Sequence, residues 1–331
     1  MAEIRETYEG PPDNKNSYTA PCNLFTGGGD KSSTLSTPHC QERQMGPSGD
    51  NDNPAPITAP SRRRFLVGTA AALGAGAGLC LPGTAAAQSR RTAAGAAATA
   101  TVYIAGDSTA QTYRAGYYPE AGWGQTLPGF FTQNITIANH AIGGRSSRSF
   151  IEQGRLAAIH QAIRPGDYLC VQFGHNDATV SNPDRYTSPA DYKEYLRNDY
   201  IRATRARGAT PIVVTPVSRR SYNASTGEFN VSFPAYVNAA RAVAAEERVP
   251  LVDLSELSRV FLTRLGVEQS KGIFLWLAPG QYPNFPNGVQ DNTHFQLKGA
   301  TEMSRLVARA VSGLGLPLSG EVIPARQGSS V

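Results

Sequence analysis

Residues 102–109 read VYIAGDST, and this stretch decides the fold class. Its first four residues are apolar without interruption, which is typical of a strand that is buried on both faces of a parallel sheet. The strand is expected to end at Gly106, and Asp107 and Ser108 follow at once. In α/β sheets, ligands bind outside the carboxyl ends of the strands. The stretch therefore predicts an α/β sheet and a polar group, Ser108, at its ligand-binding edge.

Four more short apolar runs follow, separated by longer segments that have apolar residues at helical spacing. The five predicted strands are residues 102–105, 135–138, 168–173, 211–215 and 250–253. One predicted helix has Tyr192, Leu196, Tyr200 and Ala203 on one face, and the last has Leu297, Ala300, Leu306, Val307, Ala310 and Val311. Apolar strands that alternate with helices predict a three-layer α/β/α sandwich around a five-stranded parallel sheet, flavodoxin-like in class. This domain is expected over residues 98–315, with a C-terminal tail at 316–331.

The composition permits a sizeable core and excludes several kinds of site. The 331 residues are 40% hydrophobic and 17% charged, with a formal net charge of +5. Cys170 is the only cysteine after residue 88, so the folded part is not expected to contain a disulfide. The chain has no zinc-type cysteine pairs, no His-Glu-x-x-His motif and no basic run beyond residues 62–64. We therefore expect no metal, no cofactor and no nucleic-acid partner.

The first 87 residues are predicted to direct export rather than to form part of the fold. Residues 1–60 are polar and lack apolar periodicity, which predicts disorder, and Met45 is an alternative start. Residues 61–87 open with SRRRFL, continue as an uncharged Ala/Gly/Leu run and end in three alanines before Gln88. This pattern resembles a cleaved twin-arginine signal peptide. The chain is thus expected to use the twin-arginine export machinery and to act in the periplasm or outside the cell.

Two membrane-attached alternatives are less favoured. The apolar run of the signal has about 15 residues, whereas a spanning helix needs roughly 20, so stable membrane insertion is not expected. Lipid attachment at Cys80 is disfavoured because Leu79 stands where a small residue is required.

Three further segments supply groups that a serine nucleophile needs. A serine hydroxyl requires a base, and the base requires an orienting acid. Asp291 lies three residues before His294, just ahead of the last predicted helix, so both side chains can reach the same side within one turn. Donors for an oxyanion are offered by the amides of the glycine-rich turn at 139–146, after the second strand, and by the side chain of Asn176, after the third. Each segment alone also fits an ordinary turn or a helix cap.

Taken together, these segments resemble the four blocks of the SGNH, or GDSL-type, hydrolase superfamily, in the same order and at the same strand ends. The resemblance implies that Ser108 is the nucleophile, His294 the base and Asp291 the acid of a triad. It also implies that Gly144 and Asn176 are oxyanion donors, together with the N–H of Ser108.

Some alternatives remain within this assignment. Gly143 is the less favoured choice for the glycine donor and differs from Gly144 by one residue of loop register. His175, His140 and His160 are competing bases; His175 has no acid three residues away, and His160 falls on a predicted helix.

The wider pattern resembles the rhamnogalacturonan acetylesterases. The shared motifs are GDST at 106–109, GWG at 122–124, GRS at 144–146, FGHND at 173–177, TPV at 215–217, PGQYP at 279–283 and DNTHF at 291–295. The resemblance implies removal of acetyl groups from the pectin backbone, an acetylated polysaccharide, without a metal or cofactor.

Charge and aromatic residues agree with such a substrate. From Gln88 onward, 24 Lys and Arg face 18 Asp and Glu, a net charge of +6, which favours the approach of a polyanion. Arginines pair with the carboxylates of galacturonate, and aromatic rings stack on sugars. The candidate substrate-binding residues are Trp123, Arg145, His175, Arg219, Arg220, Trp276 and Tyr282.

The sequence favours a monomeric pectin acetylesterase over several other functions. The same machinery can act on acetylated xylan, a short-chain lipid or a thioester. A non-catalytic carbohydrate-binding protein would not need all five catalytic groups. A nucleotide binder is disfavoured because the turn after the first strand lacks the residues that cradle a phosphate.

Overall fold

The computed structural model describes residues 99–324. The predicted polar extension at 1–60, the alternative start at Met45 and the signal peptide at 61–87 lie outside these residues. Within them, no helix combines the length and the apolar character that crossing a bilayer requires.

Ten strands are formed within residues 99–324, and five of them build the central sheet. The strands are β1 (Ala100–Gly106), β2 (Glu120–Ala121), β3 (Ile135–Asn139), β4 (Tyr168–Gln172), β5 (Thr210–Val214), β6 (Tyr222–Asn223), β7 (Glu228–Phe229), β8 (Leu251–Val252), β9 (Phe274–Leu277) and β10 (Val289–Gln296). The central sheet has the order β3-β1-β4-β5-β8, and all its pairs are parallel. All five predicted strands are therefore confirmed.

The strand order also shows where a site belongs. The chain moves from β1 outward to β3, then crosses to the other side of β1 to form β4. Such a reversal opens a crevice at the carboxyl ends of the strands, which is where doubly wound sheets bind their ligands. The predicted site segments follow β1, β3 and β4.

Helices cover both faces of the sheet. They are α1 (Trp123–Thr126), α2 (Ser147–Glu152), α3 (Arg155–Ala162), α4 (Pro189–Tyr195), α5 (Ala203–Arg205), α6 (Pro234–Glu246), α7 (Leu254–Leu265), α8 (Val267–Ser270) and α9 (Leu297–Ser312). A π-helical segment, Leu196–Arg202, joins α4 to α5, and short 3-10 helices span Ala115–Tyr117, Leu127–Phe130 and Pro317–Glu321.

Alternation along the strands divides the core into two clusters. On β1, Val102 and Ile104 pack against the cluster that contains α9, whereas Tyr103 and Ala105 pack against the cluster that contains α4 and α6. Cys170 on β4 is buried, and burial raises the pKa of its thiol to about 12, as expected for an unreactive core residue. The three-layer α/β/α class is confirmed.

A second, antiparallel sheet was not predicted, and it changes one local expectation. Its order is β2-β10-β9. Asp291 and His294 lie on β10, not on the turn predicted ahead of the last helix. The sequence VQDNTHFQ of β10 is mostly polar and has no apolar alternation, so it carries no strand pattern. The pairing of β10 with β9 shifts register between Gln290 and Phe295, and the segment between them holds both residues.

The folded domain also extends past its predicted end at residue 315. Leu318, on the 3-10 helix Pro317–Glu321, is 1% exposed. Backbone hydrogen bonds join Thr132 to Glu321 and Ile323 to Phe130, both at 2.9 Å. Residues 316–324 are therefore packed against the domain and are not a tail.

Candidate active site

A serine, a histidine and an aspartate form a hydrogen-bonded chain at the carboxyl edge of the central sheet. The distance between Ser108 Oγ and His294 Nε2 is 2.9 Å. The other ring nitrogen, Nδ1, lies 2.7 Å from Asp291 Oδ2. Asp291 Oδ1 accepts the backbone N–H groups of Thr293 and His294, which fixes the carboxylate on its own strand. The geometry is that of a nucleophile, a base and an orienting acid.

The turn after β1 holds Ser108 at the surface and its neighbours beneath it. Asp107 is fully buried, and its Oδ1 accepts both the backbone N–H and the hydroxyl of Thr109, at 2.9 and 2.7 Å. The hydroxyl of Tyr113 donates to the carbonyl oxygen of Ser108 at 3.0 Å. These bonds close a tight turn in which Asp107 is a structural residue and Ser108 is half-buried with its hydroxyl free to meet His294.

The charge of Asp291 makes His294 a stronger base than a free imidazole. Burial lowers the pKa of His294, but the hydrogen bond and the charge of Asp291 outweigh it, so that the pKa lies above the usual 6.5. Burial alone would raise the pKa of Asp291, yet its bonds with His294 and Thr293 hold it at about 2. Asp291 therefore stays ionised and is placed to stabilise a positive charge on the imidazole.

The glycine loop after β3 presents one free amide. Gly143 N–H donates to the side-chain oxygen of Gln111. For Gly144 N–H, by contrast, no hydrogen-bond acceptor is found in the part of the chain that the structure describes. Gly144 adopts φ +77°, a left-handed conformation that favours glycine. A Cβ at Gly143 would lie 3.5 Å from the Ser108 Cβ, so the loop runs close beside the serine.

Asn176 follows β4 and is held at both ends of its amide. Its Nδ2 donates to the carbonyl oxygen of Arg145 at 3.0 Å, and its Oδ1 accepts from Nη1 of Arg185 at 3.2 Å. Nδ2 has two hydrogens, and only one is used by Arg145. The other remains for a ligand. The Asn176 side chain can thus join the N–H of Gly144 as a hydrogen-bond donor.

The buried carboxylate of Asp177, next to Asn176, hydrogen-bonds residues after β3 and after β4. Asp177 accepts the backbone N–H and the hydroxyl of Ser147 on one oxygen, and the N–H of Gly174 on the other. It is fully buried, and burial raises its pKa to about 7. Asp177 thereby ties the glycine loop after β3 to the asparagine loop after β4.

Two members of the predicted substrate-binding set lie in the interior. Trp123 is fully buried, and its Nε1 donates to Gln172 Oε1 at 2.7 Å. Its ring cannot stack on a sugar, so this expectation is corrected. His175 is only 4% exposed; its Nδ1 lies 3.4 Å from Asp107 Oδ2, and its ring packs edge-on against Phe233. His175 therefore supports the site from below instead of lining it, because the strand before it is buried on both faces.

Arg219 and Arg220 lie close in sequence but differ in their partners. Arg220 donates from its backbone and side chain to Asn292, Ser270 and Val267, so it braces the strand that carries the triad. Arg219 is half-buried, and its guanidinium carbon lies 4.7 Å from the Phe233 ring centroid. Its Nε is buried without a hydrogen-bond partner. Burial lowers the pKa of Arg219, whereas the charges of Asp291 and Asp107 raise it.

The other three predicted substrate-binding residues are partly exposed. Arg145 donates to the carbonyl oxygen of Gly143 and to Gln153, bracing the glycine loop. Trp276 donates to Asn292, and Arg220 and Lys271 lie 4.5 and 5.1 Å from its ring centroid. Tyr282 packs edge-on against Tyr118 in the wall of a cleft of about 400 Å³.

The competing histidines do not reach the serine. His160 Nε2 lies 3.3 Å from the Thr204 hydroxyl, and burial together with Arg207 lowers its pKa to about 4. His140 packs against Tyr103, and burial lowers its pKa. Among the described residues, His294 is the histidine that hydrogen-bonds Ser108.

Sequence reasoning missed four residues of the site: Gln111, Tyr113, Glu120 and Arg185. Gln111 and Tyr113 lie just after the GDST motif, and Arg185 is in a loop without any motif. Glu120 lies on β2, which was not predicted; burial raises the pKa of its carboxyl, and the charge of His294 opposes this shift. Only their position near recognised motifs would have pointed to Gln111 and Tyr113.

The described residues contain no group of three or more His, Cys, Asp or Glu side chains that could hold a metal ion. What they do assemble is a serine hydroxyl hydrogen-bonded to an imidazole, with the glycine loop at Gly143 close to the serine. Such a site can attack a carbonyl carbon and hold the negative charge that develops on the oxygen.

The fold and the site together define a class, the carboxylic ester hydrolases that work on a doubly wound α/β sheet. The family model of the GDSL-like lipases and acylhydrolases matches residues 102–307. The chain belongs to this family and is a carboxylic ester hydrolase.

Individual relatives extend over the same region. One is the probable rhamnogalacturonan acetylesterase YesY of Bacillus subtilis (strain 168), 45% identical over 226 residues, which are 68% of this chain and 98% of the relative. A second is the rhamnogalacturonan acetylesterase RhgT of the same organism, 40% identical over 222 residues, 67% of this chain and 94% of the relative. The crystal structure of Bacillus subtilis YxiM is similar with a TM-score of 0.58 and 32% identity; the match covers 66% of this chain but only 58% of YxiM.

Proposed function

We propose that this chain is an exported serine esterase that removes acetyl groups from rhamnogalacturonan, the branched backbone of pectin. The observation that carries the proposal is the hydrogen-bonded chain Ser108–His294–Asp291. The proposed oxyanion donors are the N–H of Gly144 and the second N–H of Asn176 Nδ2, for which the described residues supply no acceptor. The names of the two Bacillus subtilis relatives, both rhamnogalacturonan acetylesterases, support the substrate.

The proposed reaction is a double displacement. His294 takes the proton of the Ser108 hydroxyl, whose oxygen attacks the acetyl carbonyl carbon. The bond to the sugar oxygen then breaks, and His294 gives its proton to the leaving alcohol, which leaves an acetyl group on Ser108. Water, deprotonated by His294, attacks this acyl-enzyme and releases acetate. Asp291 stays ionised throughout and stabilises the imidazolium.

Three donors are proposed to hold the oxyanion of both steps. They are the backbone N–H groups of Ser108 and Gly144 and the side-chain N–H of Asn176. Gly144 is favoured over Gly143, because Gly143 N–H already donates to Gln111. Because these donors are fixed before the substrate arrives, they need no reorganisation as the charge develops.

Arg219 is the residue that best fits the carboxylate of a neighbouring galacturonate. Its guanidinium stacks on Phe233 and makes no hydrogen bond or ion pair to a side chain of the described residues. Phe233 adopts φ +56°, a strained conformation for an aromatic residue, of the kind that concentrates at functional sites. A guanidinium that is held in place and lacks an anion can pair bidentately with a carboxylate.

The remaining substrate contacts are proposed for partly exposed side chains of the predicted substrate-binding set. Tyr282, in the cleft beside Tyr118, is the best-placed ring for a sugar, and Trp276 is the second. Arg145 and Arg220 are proposed to act on the substrate mainly through the loops that they brace. The net charge of +6 from Gln88 onward supports approach of an anionic polysaccharide.

Export is proposed from the sequence alone. Residues 61–87 are the proposed twin-arginine signal, cleaved before Gln88, and the enzyme then acts as a monomer in the periplasm or outside the cell. The path carries folded proteins, which suits a mature chain whose one cysteine, Cys170, is buried.

The test is acetate release by the chain from Gln88 onward on three substrates: acetylated rhamnogalacturonan, acetylated xylan and a chromogenic acetate ester. Preference for rhamnogalacturonan is the expected result. Preference for xylan would replace the substrate but keep the mechanism, and hydrolysis of the chromogenic ester alone would remove the polysaccharide assignment.

A further inference from the structure

Arg185 holds the side chain of Asn176 from the side opposite to Arg145. Its Nη1 donates to Asn176 Oδ1 at 3.2 Å, while Asn176 Nδ2 donates to the Arg145 carbonyl oxygen at 3.0 Å. An amide that rotated by half a turn would present Nδ2 to the guanidinium, which can only donate. The pair therefore permits one orientation of the amide, the one that leaves an N–H of Nδ2 for the oxyanion.

The guanidinium also lies next to the second oxyanion donor. A Cβ built at Gly144 would lie 3.8 Å from Arg185 Nη1. Arg185 is therefore close to both loops that follow β3 and β4.

No other partner explains the position of this guanidinium. Within residues 99–324, no carboxylate pairs with Arg185, and its Nε is buried without a hydrogen-bond partner. A guanidinium is strongly solvated, and burying part of it without an anion costs free energy. Among the described residues, its side chain donates one hydrogen bond, to Asn176.

The loop that carries Arg185 does not depend on this side chain for its shape. Arg148 donates to the carbonyl oxygens of Pro183 and Tyr186, at 2.6 and 3.3 Å. Thr187 N–H donates to Asp177 O at 3.0 Å, which ties the loop back to the residue after Asn176. The loop is therefore anchored by its own backbone and by Arg148.

We propose that Arg185 is a positioning residue that fixes the amide of Asn176 in the orientation needed to stabilise the oxyanion. It acts through Asn176 and does not touch the substrate. The inference rests on the proposed role of Asn176 as an oxyanion donor. It predicts that the loss of the Arg185 side chain lowers kcat only in a protein that retains the Asn176 amide.

A double-mutant cycle on the chain from Gln88 onward tests this coupling with the chromogenic acetate ester. Arg185→Met is expected to lower kcat roughly 10- to 100-fold and to change KM less than about threefold, since the amide then samples the wrong orientation. Asn176→Ala is expected to lower kcat roughly 100- to 1000-fold. In the Asn176→Ala background, Arg185→Met should lower kcat by less than about threefold, far below the product of the two losses.

Matched variants separate positioning from loss of charge or of fold. Arg309→Met removes an exposed arginine of α9 and should leave kcat within about twofold of the unmodified chain. Arg185→Lys keeps a donor and a charge, so it should recover part of the rate, and it replaces Arg185→Met in the cycle if that variant does not fold. Thermal unfolding of each variant gives the folded fraction.

Two results would overturn the inference. If Arg185→Met costs the same factor with and without the Asn176 amide, or nothing in either background, Arg185 does not act through Asn176. If Asn176→Ala itself leaves kcat unchanged, the proposed oxyanion role of Asn176 is wrong and the inference is lost with it. The two failures are distinguished by the single Asn176→Ala variant.

Discussion

The Nε2 atom of His294 lies 2.9 Å from the hydroxyl oxygen of Ser108, although the two residues are 186 positions apart in the sequence. The serine stands at the end of the central parallel sheet, whereas the histidine stands on β10 of the small antiparallel sheet. The hydrogen bond therefore depends on how the β2-β10-β9 sheet packs at the edge of the central one. We therefore expect substitutions of Ser108, His294 and Asp291 to lower the reaction rate. Substitutions of the buried residues below them, such as Trp123, should lower the stability of the fold.

Replacing Ser108 by alanine should remove the nucleophile and leave the fold intact. We expect kcat on the chromogenic acetate ester to fall on the order of a millionfold, the loss typical of a triad that acts as a unit. The thermal midpoint should change by only a few degrees, because Ser108 is half-buried and, among residues 99–324, its hydroxyl bonds His294 alone. A residual rate within tenfold of the unmodified chain would contradict the proposed mechanism.

The pH profile should report the protonation of His294. The imidazole must be neutral to accept the proton of Ser108, and its pKa lies above 6.5 because Asp291 stabilises the charged form. The value of kcat/KM should therefore fall tenfold per pH unit below a midpoint above 6.5 and be constant above it. A profile that stays flat from pH 5 to pH 8 would exclude His294 as the base.

Asp291→Asn tests the cause of that shift. The amide keeps the size of the carboxylate but loses its charge, so the pKa of His294 should fall and the acid limb of the profile should move to lower pH. The rate on the plateau should fall roughly 10,000-fold, because the wrong tautomer of His294 is then favoured and the imidazolium is not stabilised. The midpoint of the acid limb and the plateau rate are both obtained from kcat/KM values measured over a series of pH values. An acid limb that does not move would mean that Asp291 does not set the pKa of His294.

Arg219→Met separates the pectin assignment from the ester chemistry. If Arg219 pairs with a galacturonate carboxylate, KM for acetylated rhamnogalacturonan should rise about tenfold, while kcat/KM for the uncharged chromogenic ester should stay within about threefold. The same variant should lose part of the salt dependence of polysaccharide hydrolysis. Arg309→Met, which removes an exposed arginine of α9, is the matched control. Equal losses on both esters would remove Arg219 from substrate recognition.

The sequence was sufficient to predict the central sheet, because each of its five strands contains a short apolar run and the inner strands β1, β4 and β5 are largely buried. The five groups that the SGNH resemblance names were found through motifs, and their roles stay predictions; the structure places Ser108, His294 and Asp291 in one hydrogen-bonded chain. The small antiparallel sheet was missed, because β10 is mostly polar and its two apolar residues, Val289 and Phe295, show no strand pattern. The packing of Leu318 was missed as well. The positions of Arg185 and Glu120 depend on tertiary contacts of loops and short strands that no local pattern encodes.

Trp123 shows the limit of assigning substrate contacts by residue type, because its ring supports the core beneath Ser108. Its Nε1 donates to Gln172, whose amide donates in turn to the Thr109 hydroxyl at 2.9 Å, so a buried polar chain runs beneath Ser108. Trp123→Phe leaves Gln172 Oε1 without its donor and a void in the core, which should lower the free energy of unfolding by roughly 2–4 kcal/mol.

The ratio of activities on rhamnogalacturonan and on the chromogenic ester should not change in Trp123→Phe, because the ring is fully buried and never meets a sugar. Urea denaturation gives the free energy of unfolding, and the assays on rhamnogalacturonan and on the chromogenic ester give the activity ratio. Trp276→Phe, at a half-buried position, is the comparison: it should lower stability less and shift the activity ratio more, if a sugar stacks there. A Trp123→Phe variant of unchanged stability that loses activity on the polysaccharide alone would return Trp123 to the substrate-binding set.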